Sequence, residues 1–420
     1  MAQDTIGTLK LFRLLAVLAA TSAVALPSPV AAGAPWSAVP AAPVDGRAFH
    51  ASVWTGREMI VWGGASAGSL FDDGAAFDPS TGAWRTLPPA PLAARTGAVA
   101  GWTGTEMLVW GGCCDRKGRE LADGAAYDPA ADRWRSLPDA GLAARTGHAG
   151  VWTGEALLVW GGHVFGEEFA DGAAYDPAAD RWTPLPGSPL QPRYGHSAVW
   201  TGFQMVVWGG ATQDGALGDG AAFEPSTGEW RSLPASGLAP RSEHVAAWAG
   251  DRLVIWAGCC DARGAELHDG AAYEPDGDRW RPLPSALSAR QAVAVAWDGR
   301  RLVVWGGRSG ERHLADGAAY DPGRNRWAAL PRSTMAGRAG HSLVWTDAEV
   351  LVWGGCCDES QRALADGGRL LGRVAASGPS ASSPEERGRT SALALLMSLA
   401  VAFATIAMAV ALYLGRPVLR

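Results

Sequence analysis

A glycine doublet closes an apolar run ending in tryptophan at Gly63, Gly111, Gly161, Gly209, Gly306 and Gly354. Ala257-Gly258 fills the one remaining place, and the interval is 48 to 50 residues throughout. A period of that length and regularity constrains the fold more than any other feature. It describes one supersecondary unit repeated, and such a unit cannot bury its apolar face without a neighbour stacked on it. In the first copy, Trp54-Thr55-Gly56 is followed by Met59-Ile60-Val61-Trp62-Gly63-Gly64 and a variable loop. Then come Asp73-Gly74-Ala75-Ala76-Phe77-Asp78-Pro79 and Trp84-Arg85-Thr86-Leu87-Pro88, with Arg95 opening the next copy. Short β-rich runs bounded by Gly, Pro and Asp read as strands.

Four such strands, a to d, make a twisted antiparallel sheet, and seven sheets in a ring make an all-β, seven-bladed β-propeller with strand a nearest the axis. Composition supports closure. Of 21 tryptophans, seven lie on strand a (Trp54 to Trp345) and seven on strand b (Trp62 to Trp353). Strand d has only six, Trp84, Trp134, Trp182, Trp230, Trp280 and Trp327, because the seventh unit stops at Asp366-Gly367-Gly368-Arg369-Leu370-Leu371. The last tryptophan, Trp36, begins Trp36-Ser37-Ala38-Val39-Pro40, which matches Trp84 to Pro88 one period later. The N-terminal segment is therefore expected to supply the outer strand of the last blade, since an open ring would leave strand edges unpaired.

The succession Gly-Gly, Tyr/Phe-Asp-Pro, Trp, Leu-Pro, Arg and His resembles the kelch repeat, over about residues 36–371. The pattern departs at Ala98 and Val293, which replace the His, and at Glu224 and Glu274, which replace the Asp. The resemblance implies a propeller like the central domain of galactose oxidase and leaves function open, since propellers carry many unrelated activities. Copper-radical oxidases of that type imply a Tyr-Cys crosslink. Here Tyr127, Tyr175, Tyr273 and Tyr320 are repeat residues and every Cys adjoins another Cys, so that chemistry does not carry over.

Residues found in every blade serve the repeat, and those found in a few blades can serve a ligand. Arg47, Arg95, Arg145, Arg193, Arg241, Arg290 and Arg338 precede strand a, and Asp73, Asp123, Asp171, Asp219, Asp269, Asp316 and Asp366 precede strand c. Both positions fall at one end of the blade, so they are expected to pair, the guanidinium offering a planar fork to carboxylate. His50, His148, His196, His244 and His341 occupy a repeat position and read as scaffold. The variable b–c loops hold the candidate binding residues His163, Phe165, Phe169, His268, Arg308 and His313. Three of those loops carry Cys113-Cys114, Cys259-Cys260 and Cys356-Cys357. Outside the cytoplasm these thiols tend to oxidise, and the adjacent partner is the one in reach. A vicinal disulfide would stiffen each loop; a redox or metal role is the other reading. No phosphate loop, zinc-protease helix or nucleophile elbow is present, so no catalytic residue, cofactor or metal is assigned.

The chain ends fall outside the repeats. Lys10 and Arg13 precede an apolar run, Leu14 to Leu26, with Ala23-Val24-Ala25 as a cleavage site. Residues 1–25 thus read as a secretory signal, with cleavage as late as residue 33; an uncleaved anchor is the alternative. Residues 34–371 form the propeller and 372–391 a Ser/Pro-rich stalk. Residues 392–414 are 23 residues without charge, enough to cross about 30 Å of hydrocarbon as a C-terminal transmembrane helix. Residues 415–420 form a short cytoplasmic tail. A net charge of −6 offers no nucleic-acid footprint. Arg dominates over Lys, as in GC-rich bacterial genomes. The expectation is a monomeric propeller on the extracytoplasmic side of the plasma membrane, held by one C-terminal helix. Its b–c loop face would bind an extracytoplasmic protein or glycan; a carbohydrate-active enzyme working in the axial mouth is the alternative.

Overall fold

A computed structural model describes residues 36–114, 118–260, 264–357 and 361–371. The expected leader, stalk and transmembrane segments lie outside the described residues. Among the described residues no helix is long and apolar enough to cross a membrane; the one helical element is a single turn, Pro275–Gly277.

Seven four-stranded antiparallel sheets follow one another along the chain. In blade 1 the strands are Ala51–Trp54 (a), Met59–Trp62 (b), Gly74–Asp78 (c) and Ala83–Thr86 (d), paired in that order. Strand b is buried at every residue in all seven blades. That is why it reads as an unbroken apolar run: it is covered on both sheet faces by neighbouring blades. Strand d is mostly exposed outside its tryptophan and forms the rim.

Each strand-d tryptophan crosses to the preceding blade and rests on its strand-b tryptophan. Ring centroids are 5.3–6.2 Å apart at all seven seams. Trp36 completes the set. Its strand, Trp36–Val39, pairs with Gly367–Leu371 in the register Trp36 to Leu370 and Val39 to Gly367. The Trp36 indole is 7% exposed, packs on Trp305, and donates to the Pro331 carbonyl at 3.0 Å. Each such ring removes roughly 150–250 Å² from water, so closure is driven by burial as well as by ladder hydrogen bonds.

The expected Arg–Asp pairs form in every blade, at 2.7–2.9 Å. The guanidinium is fully buried and the carboxylate half exposed. Arg47 also donates to the carbonyls of Asp45, Gly63 and Asp73, tying the approach to strand a, the end of strand b and the start of strand c together. A second latch crosses some seams. Arg85 grips both Glu58 oxygens and reaches the next blade's Tyr127 hydroxyl and Asp132. Arg135 does the same with Glu106, Tyr175 and Asp180.

The repeat histidines are scaffold. His50, His148, His196, His244 and His341 each stand edge-on to the preceding blade's strand-b tryptophan, 5.0–5.3 Å between centroids. Burial, helped by the adjacent repeat arginine, lowers each pKa from 6.5 to about 3, so the rings are neutral.

Candidate binding face at the axial mouth

The b–c loops and the segments leading into strand a meet at one end of the ring. In each blade the residue after the glycine doublet bridges the residue after the repeat arginine: Ala48 with Ala65, Thr96 with Cys113, Thr146 with His163, Tyr194 with Ala211, Ser242 with Cys259, Gln291 with Arg308, and Ala339 with Cys356. The next position in each blade has positive φ, between 50° and 66°: Phe49, Gly97, Gly147, Gly195, Glu243, Ala292 and Gly340. These residues hydrogen-bond to one another across blades. The Phe49 N–H donates to Gly340 O at 2.8 Å, Gly97 to Phe49 at 3.0 Å, Gly195 to Gly147 at 2.8 Å, and Glu243 to Gly195 at 3.2 Å. This backbone collar links neighbouring blades at the axial mouth.

Four collar positions are glycine, the residue that holds a left-handed conformation without cost. Phe49 and Glu243 hold it at roughly 1–2 kcal/mol each, and both side chains are exposed, Phe49 at 52%. Residues kept in a costly conformation at a mouth point to a use beyond the scaffold.

Glu243 anchors a polar cluster. With the Gln291 amide oriented to satisfy both its ends, its nitrogen donates to Glu243 Oε2 at 2.9 Å and its oxygen accepts from Arg308 Nη2 at 3.2 Å. Protein surrounds the Glu243 carboxyl although water reaches it through the mouth. The resulting desolvation raises its pKa, and the charge of Arg308 opposes that rise. Beside Glu243 in the preceding blade, next to the Gly195 that accepts from the Glu243 N–H, the Tyr194 ring packs tilted on His163 with centroids 4.3 Å apart. Desolvation lowers the His163 pKa and raises that of Tyr194.

The other sequence-assigned residues divide. Phe165, in the turn of the His163–Val164/Glu167–Glu168 hairpin, is 83% exposed. Phe169 is half-buried with the Arg145 guanidinium 4.3 Å over its ring, as Phe71 lies under Arg47, so its contacts are those of the scaffold. His268 is exposed on the blade 5 loop. His313 pairs across its hairpin with Arg308 and lies beside the blade 7 cysteines. In each Cys-Cys pair the two sulfurs are in contact. Phe49, Tyr194, Glu243 and Gln291 were not singled out from the sequence. The signal for Phe49 and Glu243 was there: both stand in a column otherwise mostly glycine.

The opposite face holds a polar groove of about 420 Å³ between blades 5 and 6. There Arg252 stands where blades 1 and 2 place Glu58 and Glu106. Arg252, Arg279 and Arg281 all turn to Glu274, at 3.4, 2.9 and 2.9 Å. These charges satisfy one another within the seam.

Comparison with known proteins agrees with this architecture. The chain belongs to the Kelch-repeat family: the KLHDC2/KLHL20/DRC7 Kelch-repeats domain model matches residues 34–191 and 147–355. A solved structure described as "Structure of YjhT" is similar over 69% of this chain and 99% of its own, with a TM-score of 0.56 and 16% identity. At that identity the likeness concerns the fold. No curated protein sequence matches the chain.

Proposed function

We propose that this chain is a membrane-anchored scaffold that binds an extracytoplasmic protein through the b–c loop face of its propeller. The observation that carries the reading is the pair Phe49 and Glu243, side chains placed at the mouth on left-handed backbone where four other blades use glycine. With Phe165 and Arg308 they give this face exposed aromatics, a carboxylate and a guanidinium, the mixture of anchors from which recognition surfaces are built. The kelch fold, commonly an interaction scaffold, supports the same reading.

Residues 1–25 as a signal and 392–414 as a transmembrane helix would display this face outside the cytoplasm. There the three Cys-Cys pairs would close as vicinal disulfides and stiffen their loops. The His163–Tyr194 stack beside polar groups also suits a sugar ring, so a glycan is the second ligand class. The test is photo-crosslinking on intact cells expressing the full chain. Phe165→Ser and Phe49→Gly should abolish the crosslinked partner, while Phe203→Ser, an exposed residue in an a–b turn of the opposite face, should not. Loss with Phe203→Ser alone would move the binding site to the other face.

A further inference from the structure

The imidazole of His313 and the sulfurs of Cys356 and Cys357 lie within 4.8 Å of one another, each half-buried. In the bonded pair the two sulfurs are in contact; once reduced they can separate, and with the imidazole they bring three soft or borderline donors within reach of a single ion. His313 ends the blade 6 hairpin Arg308–Ser309/Arg312–His313, and the cysteines belong to the blade 7 loop. The same hairpin position in blade 3 touches the following loop too: Glu168 accepts from the Gln213 backbone of the next blade at 2.9 Å. This adjacency is a property of the repeat, and what varies is the residue placed there. The loops of Cys113-Cys114 and Cys259-Cys260 follow hairpins that end in Leu70 and Ala216, which offer no ligand. Among the described residues, the third pair is the one grouped with an imidazole.

We propose that the reduced Cys356-Cys357 pair and His313 form a binding site for a thiophilic d¹⁰ cation of the zinc and cadmium class. Thiolate and imidazole are the ligands such ions prefer, and three protein ligands leave a fourth position for water. Two thiolates neutralise a divalent charge, which offsets the unfavourable proximity of Arg308 across the hairpin. The site is gated by oxidation. A dithiol reductant attacks one sulfur of the bonded pair, passes through a mixed disulfide, and leaves as its own cyclic disulfide, delivering two electrons and two protons to yield two thiols. Metal binding then releases both thiol protons. In the oxidised pair both sulfurs share a bond and the thiolates are gone. The site does not depend on what the mouth binds.

The test uses the full-length chain in detergent, reduced with dithiothreitol, freed of reductant without air, and titrated with Cd²⁺ while thiolate-to-metal absorbance is followed. One tight equivalent per chain is expected. It should weaken by about tenfold or more in His313→Ala, the scale seen when a metal site loses a supporting group. It should disappear in Cys356→Ser/Cys357→Ser and in the air-oxidised protein, and persist with all four remaining cysteines changed to serine. Three equal equivalents that ignore His313→Ala, binding undiminished by oxidation, or no tight binding would each overturn the proposal.

Discussion

Changing Gly111 to alanine should destabilise the propeller through a single clash, and changing His148 to valine should relieve it. Gly111 is the first residue of the blade 2 doublet, at φ +70°. A Cβ there would stand 2.7 Å from His148 Cε1 and 2.9 Å from Nε2, while the Arg145 carbonyl stays at an ordinary 3.5 Å. His148 has little room to withdraw, because its ring is buried edge-on against Trp110. The left-handed backbone costs alanine roughly 1–2 kcal/mol. Overpacking adds roughly 1–3 kcal/mol, so Gly111→Ala should cost about 2–5 kcal/mol. In the His148→Val background only the backbone cost remains, and the coupling between the two changes should be about 1–3 kcal/mol. The protein already contains the compensated version: Ala257, at φ 61° and fully buried, faces the one blade where Val293 replaces the histidine after a non-glycine doublet. Urea unfolding of the four chains, followed by tryptophan fluorescence, measures the cycle. A Gly111→Ala cost within about 1 kcal/mol of wild type, or equal costs in both backgrounds, would refute the reasoning.

Three further outcomes are expected. Trp36→Ala should cost about 3–5 kcal/mol, as for other buried tryptophans, and removal of residues 34–41 should lower the melting temperature of the whole ring; an unchanged transition would show that the closing strand contributes nothing. The five repeat histidines titrate near 3 when folded and near 6.5 when unfolded, so the unfolded chain takes up protons first on acidification. Their contribution is complete above about pH 6.5 and is lost as pH falls toward 3, at up to ~1.4 kcal/mol per pH unit for each histidine; His148→Val should measurably flatten the stability profile across that window. Tyr127→Phe should cost about 1 kcal/mol by removing the hydroxyl that joins Arg85 to Asp132, and should cost much less once Arg85 is methionine.

Much of the architecture could be read from the chain because each blade is spelled by residues close in sequence. Apolar strand-b runs, turn glycines and evenly spaced tryptophans mark seven units, and the odd tryptophan, Trp36, reveals that the ring closes on its N-terminal strand. The Arg–Asp pairing was readable for the same reason: a residue invariant in every copy must serve the copy. Even the seam latch leaves a trace: Arg85, Arg135 and Arg231 occur in blades followed by Tyr127, Tyr175 and Tyr273, while blades followed by Phe77 or Phe223 carry Ser37 or Thr183 instead; Arg281 keeps the sequence pattern with Tyr320 but turns to Glu274.

What only the tertiary structure decided lies mostly between blades. The reason Ala257 is tolerated is Val293 in the next repeat. Phe169, placed with the binding residues by its loop, stacks on Arg145. Phe49 and Glu243 gain meaning from a collar assembled out of all seven blades, and His313 meets the Cys356-Cys357 pair across 42 intervening positions that form no recognisable ligand spacing. Local sequence determines strands and turns because those are short-range hydrogen-bonding choices. A site on a propeller is built from side chains a whole period apart, and their approach is set by the angle at which one twisted sheet packs on the next.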